Sequence, residues 1–133
     1  MKSGEEVHLR TLARLMAQRR TRPTALLPLW HAAGFMLGAA TGLLGREAAM
    51  QCTVAVETVI GEHYNDQIRD VLATGRGEVE AQLTDIFRRH RDEEMEHLDT
   101  ATSRGAADAP FASILGGVIQ AGCRLAIAVA RRI

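Results

Sequence analysis

Apolar residues recur at intervals of three and four along five stretches of this chain, the spacing that lays one stripe along a helix. The stretches cover about 5–20, 24–44, 46–73, 78–102 and 110–132. Pro23 stands before the second, and Gly75 and Gly77 stop the third. No alternating strand pattern and no repeat of fixed length appears between them. Short connections between long helices predict an all-α bundle with antiparallel neighbours, one domain over 1–133.

Three of the stripes are broken in the same way. The fourth stretch reads Val79, Leu83, Ile86, Phe87, His90, Glu94, His97, Ala101, with ionisable groups where leucines are expected. The third reads Met50, Val54, Glu57, Gly61, Tyr64, Ile68, Val71, and the first Glu5, His8, Leu12, Leu15. A carboxylate buried without a partner costs several kcal/mol, so repeated exceptions on three helices point to one shared cation. Glu5 with His8, and Glu94 with His97, stand at i and i+3, where an oxygen and a nitrogen share one helix face. Carboxylate di-iron bundles use two such Glu-x-x-His helices and a single Glu from each of two others. Glu57 supplies one of the single glutamates. Mixed oxygen and imidazole donors suit iron or manganese rather than a structural zinc. Off the stripe, Asp92, Glu93, Glu96 and Asp99 read as a solvated acidic face. His90 reads as a residue behind the ligands or in the core. His63 lies well round the helix from Glu57 and is not expected to be a ligand, and His31 reads as a polar residue in an apolar helix.

Composition changes this picture at two places. The 133 residues carry no formal net charge, so no global basic field points to nucleic acid. Cys52 and Cys123 are too isolated for a thiolate site or a disulfide framework. The charges, however, are unevenly placed. Residues 23–45 hold no Asp, Glu, Lys or Arg, and 109–133 hold no acid but Arg124, Arg131 and Arg132. Gly34, Gly38 and Gly42 recur every fourth residue, a smooth strip that a helix or a lipid tail can approach closely. Three readings of the second stretch stand: a buried bundle helix, a membrane-surface element, or a true span. Each leaves apolar surface that a small soluble monomer would struggle to hide, and a soluble iron-storage subunit fits poorly for the same reason.

The motifs Arg22-Pro23-Thr24, Leu27-Pro28-Leu29-Trp30, Gly34-Phe35 and Leu37-Gly38-Ala39 are followed by Thr53-Val54-Ala55-Val56-Glu57 and His63-Tyr64-Asn65. Arg91-Asp92-Glu93-Glu94, Glu96-His97 and Ile119-Gln120-Ala121-Gly122-Cys123-Arg124 complete the set. With these the chain resembles the demethoxyubiquinone hydroxylase family over its whole length. The resemblance implies a ferritin-like di-iron bundle that uses O₂ and NADH to insert one oxygen atom into the ring of a polyprenylated demethoxyubiquinol. By position, Glu5 and His8 would hold one iron, Glu57 and His97 the other, with Glu94 and Glu5 bridging. His63 and Tyr64 match a pair associated with electron delivery. Arg124 and Arg132 match positions near the nicotinamide contact, although Ala128 replaces the aromatic expected between them.

The implied partners are a polyprenyl quinone, a lipid surface, an accessory lipid-binding protein of ubiquinone biosynthesis, and a second copy in a homo-oligomer. The implied location is peripheral, on the cytoplasmic side of a bacterial inner membrane or the matrix side of the mitochondrial one. The family also has a helix upstream that carries the remaining single glutamate, whereas Glu5 lies four residues after Met1. The expectation for this chain is therefore five ligands from three helices, with partial iron binding and impaired hydroxylation. The second reading is a non-catalytic, metal-binding membrane-associated or partner-binding protein.

Overall fold

A computed structural model describes residues 2–75 and 77–133. Five α-helices follow one another: α1 (Lys2–Gln18), α2 (Leu27–Leu43), α3 (Arg46–Thr74), α4 (Glu78–Ser103) and α5 (Ala112–Ala130), with a single 3₁₀ turn at Ala106–Asp108 before the last. No strand occurs among the described residues. The helices fall in the five expected stretches, with shifted ends. Pro28 fits the first turn of α2, where an amide hydrogen would have no helical partner, and the helix accordingly starts after the expected residue 24. Helix α5 starts at Ala112 because Phe111 takes the left-handed conformation, φ +53°.

The longest helix, α3, is the centre of the bundle and packs most extensively on α4, then on α5. Gly61 on α3 faces Met95 on α4, and Tyr64 meets His90, so those two helices run antiparallel. Gln51 meets the carbonyl of Ala112, and Glu62 pairs with Arg124, so α3 and α5 run the same way. This position buries two faces of α3 rather than the one predicted. Gly61, Tyr64 and Ile68 belong to the expected stripe, but Ala48, Cys52, Ala55 and Val59 are buried as well. Cys52 and Ala55 form a core cluster with Ile119, against which Leu37 of α2 and Leu115 and Cys123 of α5 pack. Val79, expected in the α4 stripe, is half-exposed, since it lies in the first turn of that helix.

The α3–α4 approach is close where Gly61 faces Met95: a Cβ built at Gly61 would lie 2.5 Å from the Met95 methyl. That contact draws the helices together one residue from Glu94. Helix α1, by contrast, makes few close backbone approaches and joins the bundle by side chains. Its Leu12, Leu15 and Met16 line an open cleft of about 460 Å³ with Val71, Leu83 and Phe87.

Helix α2 is not a buried bundle helix. Of its 17 residues only Thr41 is buried, and its hydroxyl donates back to the Leu37 carbonyl. Phe35, Met36 and Leu43 are 75%, 65% and 90% exposed. The glycine strip faces open space, with nothing within 4 Å of a Cβ at Gly34, Gly38 or Gly42. At 17 residues α2 extends about 25 Å, short of a ~30 Å hydrocarbon core. Helix α5 is long and apolar enough to cross a membrane by length and composition, and Ile114, Val118 and Leu125 are exposed along it.

Candidate metal centre

Three helices deliver ionisable side chains to one point between them. Glu5 comes from α1, Glu57 from α3, and Glu94 and His97 from successive turns of α4, with one donor atom of each within 4.8 Å of all the others. Glu94 is buried and stands in the middle. Its Oε1 lies 2.8 Å from His8 Nδ1, and its Oε2 lies 3.0 Å from His97 Nδ1. One carboxylate thus presents an oxygen to each of two imidazoles. Glu5 reaches the same His97 Nδ1 at 3.3 Å, from a half-exposed position at the rim. The five residues read from the broken stripes therefore meet, four in one cluster and His8 one hydrogen bond away on Glu94.

The electrostatics show a group short of positive charge. Burial, then hydrogen bonding and repulsion from Glu94 and the charge of Glu5, push the Glu57 carboxyl up to about 9. Burial and the Glu94 charge also raise Glu5, though His8 and His97 partly offset this. Tyr64 is pushed well above the usual phenol range by burial and by the surrounding carboxylates. Each shift has the sense that a cation would reverse, because a positive charge favours the ionised carboxylates.

Behind the cluster lies a layer of aromatic contacts. The rings of His8 and His90 stack at 4.0 Å with 25° between planes. His90 Nδ1 is hydrogen-bonded to the Tyr64 hydroxyl at 3.2 Å, and both residues are buried. Burial, and then the neighbouring His8, lower the His90 pKa. Glu93, expected on a solvated face, instead reaches His8 Nε2 at 2.6 Å. Its neighbour relation to Glu94 was visible in the chain, but which residues α1 would meet was not.

His63 and Tyr64 face different surroundings. Tyr64 turns toward His90 and the carboxylates, whereas His63 lines a cleft of about 210 Å³ between α3 and α5, with Glu62, Asp66, Arg124 and Arg131. Burial, then the Arg131 charge, lower the His63 pKa. Arg124 lies in the same cleft, its guanidinium held by both carboxylate oxygens of Glu62 at 3.1–3.2 Å. Arg132 lies exposed beyond the end of α5, and its neighbour Arg131 lines the cleft beside Arg124. A second groove, apolar and about 450 Å³, runs between α2 and α5 past Trp30, Gly34, Val56 and Cys123.

The sequence profile of the family described as "Ubiquinone biosynthesis protein COQ7" matches residues 1–130. The chain belongs to this family. Its bundle is accordingly of the ferritin-like class, all-α with five helices. The "3-demethoxyubiquinol 3-hydroxylase" of Rhodospirillum rubrum is 50% identical over 133 residues, which is 100% of this chain and 60% of the relative. The human "NADPH-dependent 3-demethoxyubiquinone 3-hydroxylase, mitochondrial" is 46% identical over 129 residues, 97% of this chain and 59% of that protein. The Saccharomyces cerevisiae "5-demethoxyubiquinone hydroxylase, mitochondrial" is 44% identical over 137 residues, 95% of this chain and 58% of its own length. The chain thus spans about 60% of the length of these curated relatives.

Proposed function

We propose that the protein to which this chain belongs hydroxylates the ring of a polyprenylated demethoxyubiquinol, using O₂, at a two-iron centre held by Glu5, His8, Glu57, Glu94 and His97. The donor set fits the group: carboxylate oxygens and imidazole nitrogens without thiolate, on three helices of a bundle. The observation that carries the reading is the Glu94 carboxylate, one oxygen facing His8 and the other His97, the arrangement of a ligand shared between two cations. When bound, a pair of irons supplies the electrons and the Lewis acidity for dioxygen cleavage.

The chain's own residues then have separable tasks. Glu57, half-buried, and Glu94, buried, would neutralise the metal charge where each unit of charge counts more than in water. Tyr64 and His90 fill the space behind the ligands and exclude water there. The apolar groove past Trp30 and Val56, the residue before Glu57, suits a prenyl tail that enters from the α2–α5 face. The cleft with His63, Arg124 and Arg131 suits an anionic reductant, a reduced nicotinamide nucleotide. The resemblance implies NADH, while the human relative's name specifies NADPH. Tyr64, next to His63 in the chain, lies on the cluster side against His90, so only the one peptide step of α3 separates the residue at the cleft from the one at the cluster.

The exposed apolar sides of α2 and α5 support a lipid surface as the setting, and the family resemblance implies a peripheral position on the cytoplasmic or matrix side. An accessory lipid-binding protein or a second copy would cover part of the same face. The test is single-turnover reaction of the metal-loaded protein with a short-tailed demethoxyubiquinone, a reduced nicotinamide nucleotide and ¹⁸O₂. A product carrying one ¹⁸O on the ring is expected. Reduction of the quinone with no ring oxygen gained, at full metal loading, would overturn the reading.

A further inference from the structure

Both ring nitrogens of His8 are occupied by carboxylates. Nδ1 is 2.8 Å from Glu94 Oε1, and Nε2 is 2.6 Å from Glu93 Oε2. An imidazole can offer a lone pair from only one nitrogen, and only when the other carries the proton. Glu94 belongs to the cluster and Glu93 lies outside it, so the two contacts are chemically different. We propose that Glu93 is a positioning residue of the metal centre: it accepts the Nε2 proton of His8 and so leaves the Nδ1 lone pair directed at the space shared with Glu94. The inference rests on the reading of the cluster as a metal centre.

Three observations support the assignment. The His8 side chain is only 5% exposed, so water does not compete for Nε2, whereas the Glu93 side chain is 42% exposed and reaches in from the surface. The ring is also fixed about its own plane, by the stack on His90, which Tyr64 holds in turn. Finally, His97 presents the same nitrogen, Nδ1, to the other oxygen of Glu94. Both imidazoles therefore address the centre alike, but Glu5 and Glu94 both meet His97 at Nδ1, and among the described residues no carboxylate backs its Nε2. A carboxylate behind a ligating imidazole raises its basicity and fixes its orientation, so the His8 half should be the more dependent on its outer partner.

The test uses Zn(II) and Co(II) as probes with the full chain, in the wild type, Glu93→Gln and Glu93→Asp. Competition titration with a chromophoric chelator gives affinity, and long-range ¹H–¹⁵N correlation spectra of the Zn(II)-loaded protein identify which His8 nitrogen carries the proton. The wild type should show His8 protonated at Nε2. Glu93→Gln should lose about ten- to hundredfold in affinity, and Glu93→Asp, which keeps the anionic acceptor, should recover part of it. Circular dichroism confirms that each variant is folded, and an unfolded Glu93→Gln leaves Glu93→Asp to decide by the His8 resonances. Unchanged affinity together with unchanged His8 resonances in a folded variant would overturn the role of Glu93 alone. A wild type that takes up neither metal would overturn the metal-centre reading and this inference with it.

Discussion

Glu57 is half-buried and faces two other carboxylates, so that desolvation, together with these neighbours, raises its carboxyl. Its folded-state value of about 9 lies above the ordinary 4.5, so between these the folded metal-free protein holds a proton that the unfolded chain releases. Stability from this group is therefore complete below about pH 4.5 and is lost as pH rises toward 9. Chelator-treated protein should melt at progressively lower temperature across that window, and Glu57→Gln should flatten the dependence. A melting profile of Glu57→Gln that still falls as steeply as the wild type would contradict this. The residues of the cluster were legible one at a time because a charge on an apolar stripe is rare, and Glu5, His8, Glu57, Glu94 and His97 all break one. Glu93 was not legible, because its contact is set by where α1 crosses α4 and no spacing along either helix encodes that. The different surroundings of His63 and Tyr64 follow from helix geometry, since adjacent residues point about 100° apart, yet a motif read along the chain presents them as a pair.

At the level of elements, the two kinds of glycine separate packing from exposure. Gly61 admits the Met95 side chain between α3 and α4, so Gly61→Val should lower stability by about 1–3 kcal/mol. Met95→Ala in the same chain should restore much of that loss. Gly38 on α2 faces open space, and Gly38→Ala should raise stability by about 0.5–1 kcal/mol through helix propensity alone. Urea titration of the variants reads both signs; a destabilised Gly38→Ala would mean that the strip has a close neighbour. The helices themselves were legible from periodicity, and their ends moved by only a few residues where Pro28 and Phe111 set the local geometry. What periodicity missed was the second buried face of α3. Ala48, Cys52 and Ala55 are small, and a stripe of small residues carries little hydrophobic signal although it lets α2 and α5 approach.

The whole molecule is divided between a polar cluster among α1, α3 and α4 and an unsheathed apolar face on α2 and α5. That face gives a direct expectation: the protein should float with phospholipid vesicles, and Phe35→Asp or Val118→Asp should weaken binding about tenfold each, given ~1.5–3 kcal/mol for burying a large apolar side chain. Equal flotation of both variants and the wild type would place the lipid contact elsewhere. The composition of 23–45 announced an exposed apolar element without settling its placement, since a buried helix, a surface helix and a span share one pattern. Its exposure decides against the first, since only Thr41 is buried and Leu37 alone packs half-buried on the core cluster.

The claim on which the functional account depends is that Glu94 is shared between two cations. Anaerobic Fe(II) titration of the wild type and Glu94→Ala, with bound metal counted after gel filtration, addresses it directly. The account predicts iron bound to the wild type and an almost complete loss in folded Glu94→Ala, both halves failing together because they share one carboxylate. A folded Glu94→Ala that retains the iron content of the wild type would contradict it.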